Sequence, residues 1–402
     1  MDLNAVLGRA VELGASDIHL KVGQPPVLRR DGELGLLPDH KPLYDSDLEA
    51  TLALVADMTP AKLSHFHETG ELDIAYASEG LPRFRVNGYR QRGSISFAFR
   101  VIPNEVPSFA KLRLPKGVER LAEEHRGLVL VTGATGSGKT TTLAAVIDYI
   151  NRTRRQHIVT IEDPIEIVHS DHGCIVNQRE VGLDTASFAQ ALRRGLRQDP
   201  DVILIGELRD AETAETALAA AESGHLVLST MHTVDASETI GRMVEFFPAV
   251  KQPLIRSILA GVLRGVISQR LLPRIGGGRI PAVEIMIGNA RIADLIRDNK
   301  PDEITEAIAE GDFFQMQTFS KALIQLVLEE KVDREVAANA ASNRHDFLIA
   351  LDRAVKQKAV ETVADLGAEP ESAEDAAEPV STADETADEV TELPRLRVAG
   401  QQ

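Results

Sequence analysis

The stretch that decides the fold is GLVLVTGATGSGKTTTLAA, residues 127–145. Its first part, 127–131, is a continuous apolar run that predicts a buried strand. Residues 133–140 then read GATGSGKT, and a helix is predicted over 139–151. A strand, a glycine-rich loop and a helix in this order are typical of the phosphate-binding P-loop, or Walker A motif.

The loop has the composition needed to hold a triphosphate. Glycines let the backbone approach closely and adopt turns denied to other residues, and backbone N–H groups at a helix start bind phosphate oxygens. We expect Lys139 to reach the β- and γ-phosphates and the Thr140 hydroxyl to ligate Mg²⁺. ATP and Mg²⁺ are therefore the predicted cofactors, and the predicted nucleotide-binding residues are Gly133, Ala134, Thr135, Gly136, Ser137, Gly138, Lys139, Thr140 and Thr141.

Two acidic segments follow other predicted strands. The strand at 201–205 ends in Gly206-Glu207, which is the Walker B form whose acid holds magnesium near a P-loop. TIEDPIE, residues 160–166, places three acids beyond a strand at 157–161, where ligands bind in open α/β sheets. A carboxylate there could orient and deprotonate an attacking water, although a solvated acidic loop explains this segment equally well when it is considered alone.

Two histidines bracket the strand predicted at 225–230. His232 falls at its carboxyl end, where a γ-phosphate sensor could sit, and His225 falls at its start. Isolated histidines are more often structural, and no further His/Cys cluster has metal-ligand spacing.

Basic residues concentrate in the N-terminal region. Solvated strand faces, nucleic-acid contact and phosphate contact all explain them, and the alternation of Arg83 and Arg85 places both on one face. The residues are Arg83, Arg85, Arg90, Arg92 and Arg100.

Composition divides the 402 residues into segments. Buried apolar strands alternating with helices predict a parallel sheet covered on both faces, whereas 250–355 is predicted to be largely helical with a sharp loop at 276–278. The N-terminal region combines an amphipathic helix with short strands and a hairpin turn at Asp31-Gly32. The predicted boundaries are 1–102 for an N-terminal domain, 103–118 for a linker, 119–357 for the ATPase domain and 358–402 for an acidic disordered tail.

Charge and cysteine content limit the setting. The net charge is −17, and from Glu361 onward twelve acidic residues face two arginines, so we expect the tail to be disordered. The single cysteine, Cys174, excludes a disulfide framework and suits a reducing cytosol. With no apolar run of about 18 residues, we expect a soluble cytoplasmic protein that can still dock on a membrane complex.

These motifs in this order resemble the secretion-ATPase superfamily, and within it the twitching-motility ATPases that retract type IV pili (PilT- and PilU-like). The resemblance covers about residues 1–355. It is carried by GASDIHL (14–20), RFRVN (83–87), the P-loop segment (127–145), TIEDPIE (160–166), VNQREVG (176–182), ALRRGLRQDPDVILIGELRD (191–210), ESGHLVLSTMHT (222–233), GGGRIPAVEIMIG (276–288) and MQTFSKAL (316–323).

The resemblance implies an α/β fold: an N-terminal PAS-like α+β domain followed by a RecA-like P-loop ATPase core with C-terminal helices. It implies that Glu166 is the catalytic glutamate and that Glu207 holds magnesium through water. His225 and His232 match the family's histidine box, with His225 on the nucleotide. The implied catalytic set is Glu166, Glu207, Lys139, His232, Arg85 and Arg100, the two arginines facing nucleotide at a subunit boundary.

Members of this family form homohexameric rings at the cytoplasmic face of the inner membrane. The resemblance therefore implies a pilus platform protein as partner, with a second pilus ATPase as a further one and no nucleic acid. One departure concerns the retraction motif AIRNLIRE, where Ala293 and Asp294 replace an arginine and an asparagine. An accessory PilU-like ATPase, an extension or secretion ATPase, a nucleic-acid translocase and a catalytically silent ring component are the alternatives.

Overall fold

The computed structural model describes residues 1–30, 32–57, 60–102 and 106–366. Both sheets belong to one compact unit, Met1–Arg353. The strands are β1 (Asp17–Lys21), β2 (Val27–Arg30), β3 (Glu33–Leu36), β4 (Glu71–Tyr76), β5 (Phe84–Gln91), β6 (Ser94–Val101), β7 (Gly127–Thr132), β8 (His157–Glu162), β9 (Ile175–Glu180), β10 (Val202–Ile205), β11 (Leu226–Met231), β12 (Leu263–Pro273) and β13 (Arg279–Ile287).

The α-helices are α1 (Leu3–Glu12), α2 (Asp45–Val55), α3 (Pro60–Thr69), α4 (Phe109–Leu112), α5 (Lys116–Ala122), α6 (Lys139–Thr153), α7 (Phe188–Gly195), α8 (Ala211–Glu222), α9 (Ala236–Glu245), α10 (Gln252–Val262), α11 (Ala290–Arg297), α12 (Ile304–Ala309), α13 (Phe319–Leu328), α14 (Arg334–Ala340) and α15 (Arg344–Leu366). Short 3₁₀ turns cover Pro301–Glu303 and Asp312–Phe314. Among the helices that the structure describes, none is both long and apolar enough to cross a membrane.

The N-terminal sheet has six antiparallel strands in the order β3-β2-β1-β6-β5-β4. Alternate residues of β5, such as Phe84 and Val86, are buried in a core shared with α1, α2 and α3, because successive side chains of a strand point to opposite faces. The strands expected at 72–77 and 83–89 are confirmed, and the N-terminal α+β domain is present; β6 was not predicted.

The second sheet has seven strands in the order β13-β12-β7-β11-β10-β8-β9. All neighbours pair in parallel except the edge strand β13, which pairs with β12 in antiparallel register. Strands β7, β10 and β11 are buried along their whole length, as their continuous apolar sequences predicted. Their carboxyl ends lie along one edge of the sheet, and this edge carries the P-loop.

The prediction that 250–355 is largely helical is wrong for 263–287, where β12 and β13 form a hairpin. Gly276, Gly277 and Gly278 all have positive φ in the connection, so the predicted sharp loop is the hairpin turn. β12 is held by parallel pairing with β7. Its interior position in the sheet therefore outweighs the apolar spacing that suggested a helix.

The domain boundaries stay predictions. The proposed linker contains α4 and the start of α5, in which Gly117 and Val118 are buried. α15 continues to Leu366, past the boundary set at 358, so the first residues of the predicted disordered tail are helical. The acidic stretch 367–402, residues 103–105 of the linker and Asp31 of the predicted hairpin turn lie outside the described residues.

Candidate nucleotide-binding site

The glycine loop lies between β7 and α6, and its backbone conformation depends on glycine. Gly133, Gly136 and Gly138 have φ of 142°, 81° and 92°, in a region that side chains disfavour. A Cβ at Gly133 would lie 2.4 Å from the backbone oxygen of Gln269, so β12 packs directly against the loop. The loop borders a cavity of about 330 Å³ lined by residues 133–137, Val234 and residues 269–271.

Lys139 begins α6 and is buried beneath this loop. Its Nζ donates to the backbone oxygens of Gly133, at 2.8 Å, and Ala134, at 3.0 Å. Burial lowers the pKa of the lysine, while the carboxylates of Glu207 and Glu166 act in the opposite direction. The predicted lysine and both predicted acids therefore interact electrostatically in the structure.

Glu207 follows β10 after Gly206 and lies at the carboxyl edge of the sheet. One carboxylate oxygen accepts from Arg209, and the other lies 3.4 Å from Nε2 of His232. Thr230 of β11 fixes this corner, since its hydroxyl donates to the Gly206 oxygen at 2.7 Å. Glu207 and His232 therefore lie close together, after the adjacent parallel strands β10 and β11.

Glu166 is exposed on the loop after β8, while Glu162 of the same acidic segment is shielded. The Glu162 carboxylate accepts from the Thr160 hydroxyl at 2.6 Å and from Gln178 Nε2 at 3.1 Å. Burial raises the pKa of Glu162 despite these hydrogen bonds. The two glutamates thus differ: the Glu162 side chain is hydrogen-bonded at the end of β8, and the Glu166 side chain is exposed.

Neither of the two N-terminal arginines, Arg85 and Arg100, is among the described residues that line the cavity beside the P-loop of their own chain. Arg85 and Arg100 are cross-strand partners on β5 and β6, and Arg100 Nε donates to Asp17 at 2.9 Å. The pair therefore lies on the face of the N-terminal sheet opposite its buried core.

His225 lies on the opposite edge of the ATPase sheet from the P-loop. It precedes β11, its carbonyl accepts from Gly127 at the start of β7, and its Nδ1 lies 3.0 Å from both the Ala220 oxygen and the Ser223 hydroxyl. The six residues of β11 span roughly 20 Å. The expectation that His225 contacts nucleotide is therefore not supported within one chain; the geometry gives it a role at the end of α8.

The sequence interpretation missed the contribution of β12 to the pocket. Gln269 is buried beside the loop with its Oε1 unpaired among the described residues, and Arg270 stacks on Phe319 at 3.9 Å. Both residues were hidden by the helical prediction for this region. The β-branched pair Val266-Ile267 and the triple-glycine turn were the signals that could have revealed the strand.

The site fits a nucleotide phosphate chain. The Ser137 hydroxyl of the loop is buried without a partner among the described residues, and the cavity beside the loop is open to a ligand. Among those residues there is also no group of three or more His, Cys, Asp or Glu side chains that could hold a metal ion. A magnesium ion held by Thr140 and, through water, by Glu207 needs no such cluster, because Mg²⁺ keeps several waters and takes oxygen ligands from the substrate.

A P-loop at the start of α6, with a Walker B acid after β10 and a second acid on the loop after β8, defines a P-loop ATPase on a RecA-like sheet. The model of the family described as "Type II/IV secretion system protein" matches residues 110–363. The chain belongs to this family.

Its relatives include pilus ATPases. The chain is 45% identical to the type IV pilus retractation ATPase PilT of Pseudomonas aeruginosa, over 86% of this chain and 100% of that protein. It is 39% identical to the type IV pilus ATPase PilU of the same organism, over 86% of this chain and 90% of PilU. The crystal structure of the pilus retraction motor PilT with bound ADP matches with a TM-score of 0.80 at 47% identity, covering 86% of this chain and 98% of that one. The predicted family and fold are confirmed.

Proposed function

We propose that the chain is a magnesium-dependent ATPase that powers type IV pilus retraction as a homohexameric ring on the cytoplasmic face of the inner membrane. The observation that carries the ATPase proposal is the P-loop geometry. Lys139 lies under the loop and donates to the Gly133 and Ala134 oxygens, and the acidic loop and Glu207 follow parallel strands that end at the same edge of the sheet. The pilus role is supported by the names of the relatives, PilT above all.

In the proposed mechanism the P-loop amides and Lys139 bind the β- and γ-phosphates, which fixes the reacting phosphorus. Glu166 orients and deprotonates the attacking water. Thr140 and, through water, Glu207 would hold the magnesium ion, which would supply positive charge to neutralise the phosphate oxygens. His232, 3.4 Å from Glu207, senses the γ-phosphate through that carboxylate.

The ring is proposed because no arginine of the N-terminal sheet is among the described residues that line the P-loop cavity of the same chain. Arg85 and Arg100 form a basic pair on one sheet face, and guanidinium groups bind phosphate bidentately. In a ring they are proposed to reach the nucleotide of the adjacent subunit, where they stabilise developing charge. The partner of the ring is proposed to be the platform protein of the pilus.

A direct test measures the ATPase rate of the full-length wild-type protein and of Lys139→Ala, Glu166→Gln and Glu207→Gln. Each substitution is expected to lower kcat by at least about 100-fold, and magnesium chelation is expected to abolish turnover.

Deletion of the gene is expected to leave excess pili that do not retract, and the Lys139→Ala gene should not restore retraction. Wild-type turnover by Lys139→Ala would refute the ATPase proposal, and bald cells after deletion would refute retraction.

An accessory, PilU-like role is the second candidate, and α11 favours it. Asp294, at the retraction-motif asparagine, is exposed and pairs with Arg297 at 2.6 Å, while Ala293 packs against the core where the motif has arginine. PilU is also a relative at 39% identity. Expression of this gene in a strain that lacks its other pilus ATPases separates the roles, because an accessory ATPase will not restore retraction alone.

A further inference from the structure

A carboxylate holds a backbone amide of the loop that carries Glu166. The N–H of Ile165 donates to Oε2 of Glu180 at 3.2 Å, and Glu180 ends β9, the strand that pairs with β8. The backbone next to the proposed base is therefore clamped by this hydrogen bond to the end of the neighbouring strand.

Glu180 is buried, with its side chain 2% exposed, and its charge is paired across the chain. Arg83, just before β5 of the N-terminal sheet, donates to the same Oε2 atom at 2.6 Å. Because a buried carboxylate is costly without a partner, the position of Glu180 depends on Arg83. Arg83 itself is tied to its own sheet, since its carbonyl accepts from Ile102 at 2.8 Å.

We infer that Glu180 is a positioning residue for Glu166 and that Arg83 places it, so that the N-terminal domain controls the acidic loop of its own subunit. A single oxygen atom, Oε2 of Glu180, accepts from both Arg83 of the N-terminal domain and the backbone amide of Ile165, which precedes Glu166. When the N-terminal sheet is docked, the loop is held; when Arg83 withdraws, Glu180 loses its counter-charge and the clamp on Ile165 weakens. The inference rests on the proposed role of Glu166 as the base.

The chemistry of this device predicts an effect on turnover rather than on nucleotide binding. Neither Arg83 nor Glu180 lines the P-loop cavity, and Lys139 is held by its own loop. A displacement of about 1 Å in a catalytic group lowers the rate by about 100-fold. Disruption of the clamp should therefore lower kcat and leave the KM for ATP and the affinity for ADP nearly unchanged.

The test uses the full-length protein with three changes. Glu180→Ala removes the acceptor of the Ile165 amide. The double variant Glu180→Gln with Arg83→Met keeps an acceptor but removes both charges, so no unpaired charge is buried and folding is preserved. Arg9→Ala is the matched control, because Arg9 belongs to an exposed ion pair with Glu12 in the same domain.

We expect kcat to fall by about 10- to 100-fold in Glu180→Ala and by about 10-fold in the double variant. KM and ADP affinity should change less than about threefold, and Arg9→Ala should match wild type. In a Glu166→Gln background neither change should lower the residual rate further, since the clamped group is then absent. If Glu180 had a purely structural role, its substitution would lower the ATPase rate equally in the wild-type and the Glu166→Gln backgrounds.

Two outcomes separate the inference from the function on which it rests. If Glu166→Gln hydrolyses ATP as fast as wild type, the proposed role of Glu166 is wrong. If Glu166→Gln is slow while the folded Glu180→Ala and double variants keep the wild-type kcat, the positioning inference alone is overturned.

Discussion

Replacement of Gly133 by alanine tests whether the glycine loop and β12 fit together as the structure shows. The new Cβ would lie 2.4 Å from the Gln269 backbone oxygen, below the 3.0 Å that real Cβ contacts respect. The neighbour is backbone of a central strand, so the loop has to move by about 1 Å to reach ordinary contact. The backbone at φ 142° adds strain of about 1–3 kcal/mol.

A shift of this size in the phosphate-binding loop is expected to lower kcat/KM by about 100-fold. That factor corresponds to about 2.7 kcal/mol of lost transition-state stabilisation. ADP affinity should fall as well, because the loop amides are proposed to bind the β-phosphate. Steady-state ATP hydrolysis, calorimetric ADP titration and urea unfolding of the purified variant measure the three effects.

Gly14→Ala is the matched control for backbone strain. Gly14 has φ 74° at the end of α1, and a Cβ there meets nothing within 4 Å. We expect it to cost about 1 kcal/mol of stability and to leave the ATPase rate of the folded protein unchanged. Folded Gly133→Ala with wild-type kcat/KM and ADP affinity would refute the packing argument.

Three further predictions concern stability and partners. Burial raises the pKa of Glu284 to about 7 from its ordinary 4.5. Its contribution to the free energy of unfolding, about 3 kcal/mol, is therefore complete below pH 4.5 and is lost as the pH rises through 7. Urea unfolding from pH 5 to 8 should show this fall in stability, and the Glu284→Gln variant should show a flatter pH dependence. Phe347→Ala removes a fully buried ring from the core formed with Phe319 and Leu323 and should cost about 3–5 kcal/mol by chemical denaturation. Single-stranded DNA should leave the ATPase rate unchanged, whereas stimulation of several fold would support the translocase.

The ATPase core was largely predictable because its signals are local. The strands β7, β10 and β11 are short apolar runs, and the carboxyl ends of parallel strands meet at one edge. That rule alone places Glu207 and the acidic loop beside Lys139, although they are far apart in the chain. The structure supports the rule, since the charges of both Glu207 and Glu166 raise the pKa of Lys139 against the effect of burial.

The spacing of apolar residues did not predict the β12–β13 hairpin, because the apolar residues of β12 point to both faces of the sheet. β12 is an interior strand, so both of its faces are buried and its sequence lacks strict alternation. Such a run is difficult to distinguish from a buried helix by periodicity alone. The error concealed Gln269 and Arg270, which come to the P-loop only through pairing with β7.

The same reasoning separates the members of the acidic segment, which sequence left as either a functional group or a solvated loop. Glu162 accepts hydrogen bonds from Thr160 and Gln178, and neither donor has a sequence pattern that marks it. Glu180 is paired with Arg83, 97 residues away in another sheet. Burial and long-range partners, which no local motif encodes, thus make Glu162 a buried acceptor within the segment and make Glu180 of β9 a support for the loop, while Glu166 stays exposed. The reactivity of Glu166 should therefore depend on how firmly Glu180 holds the loop.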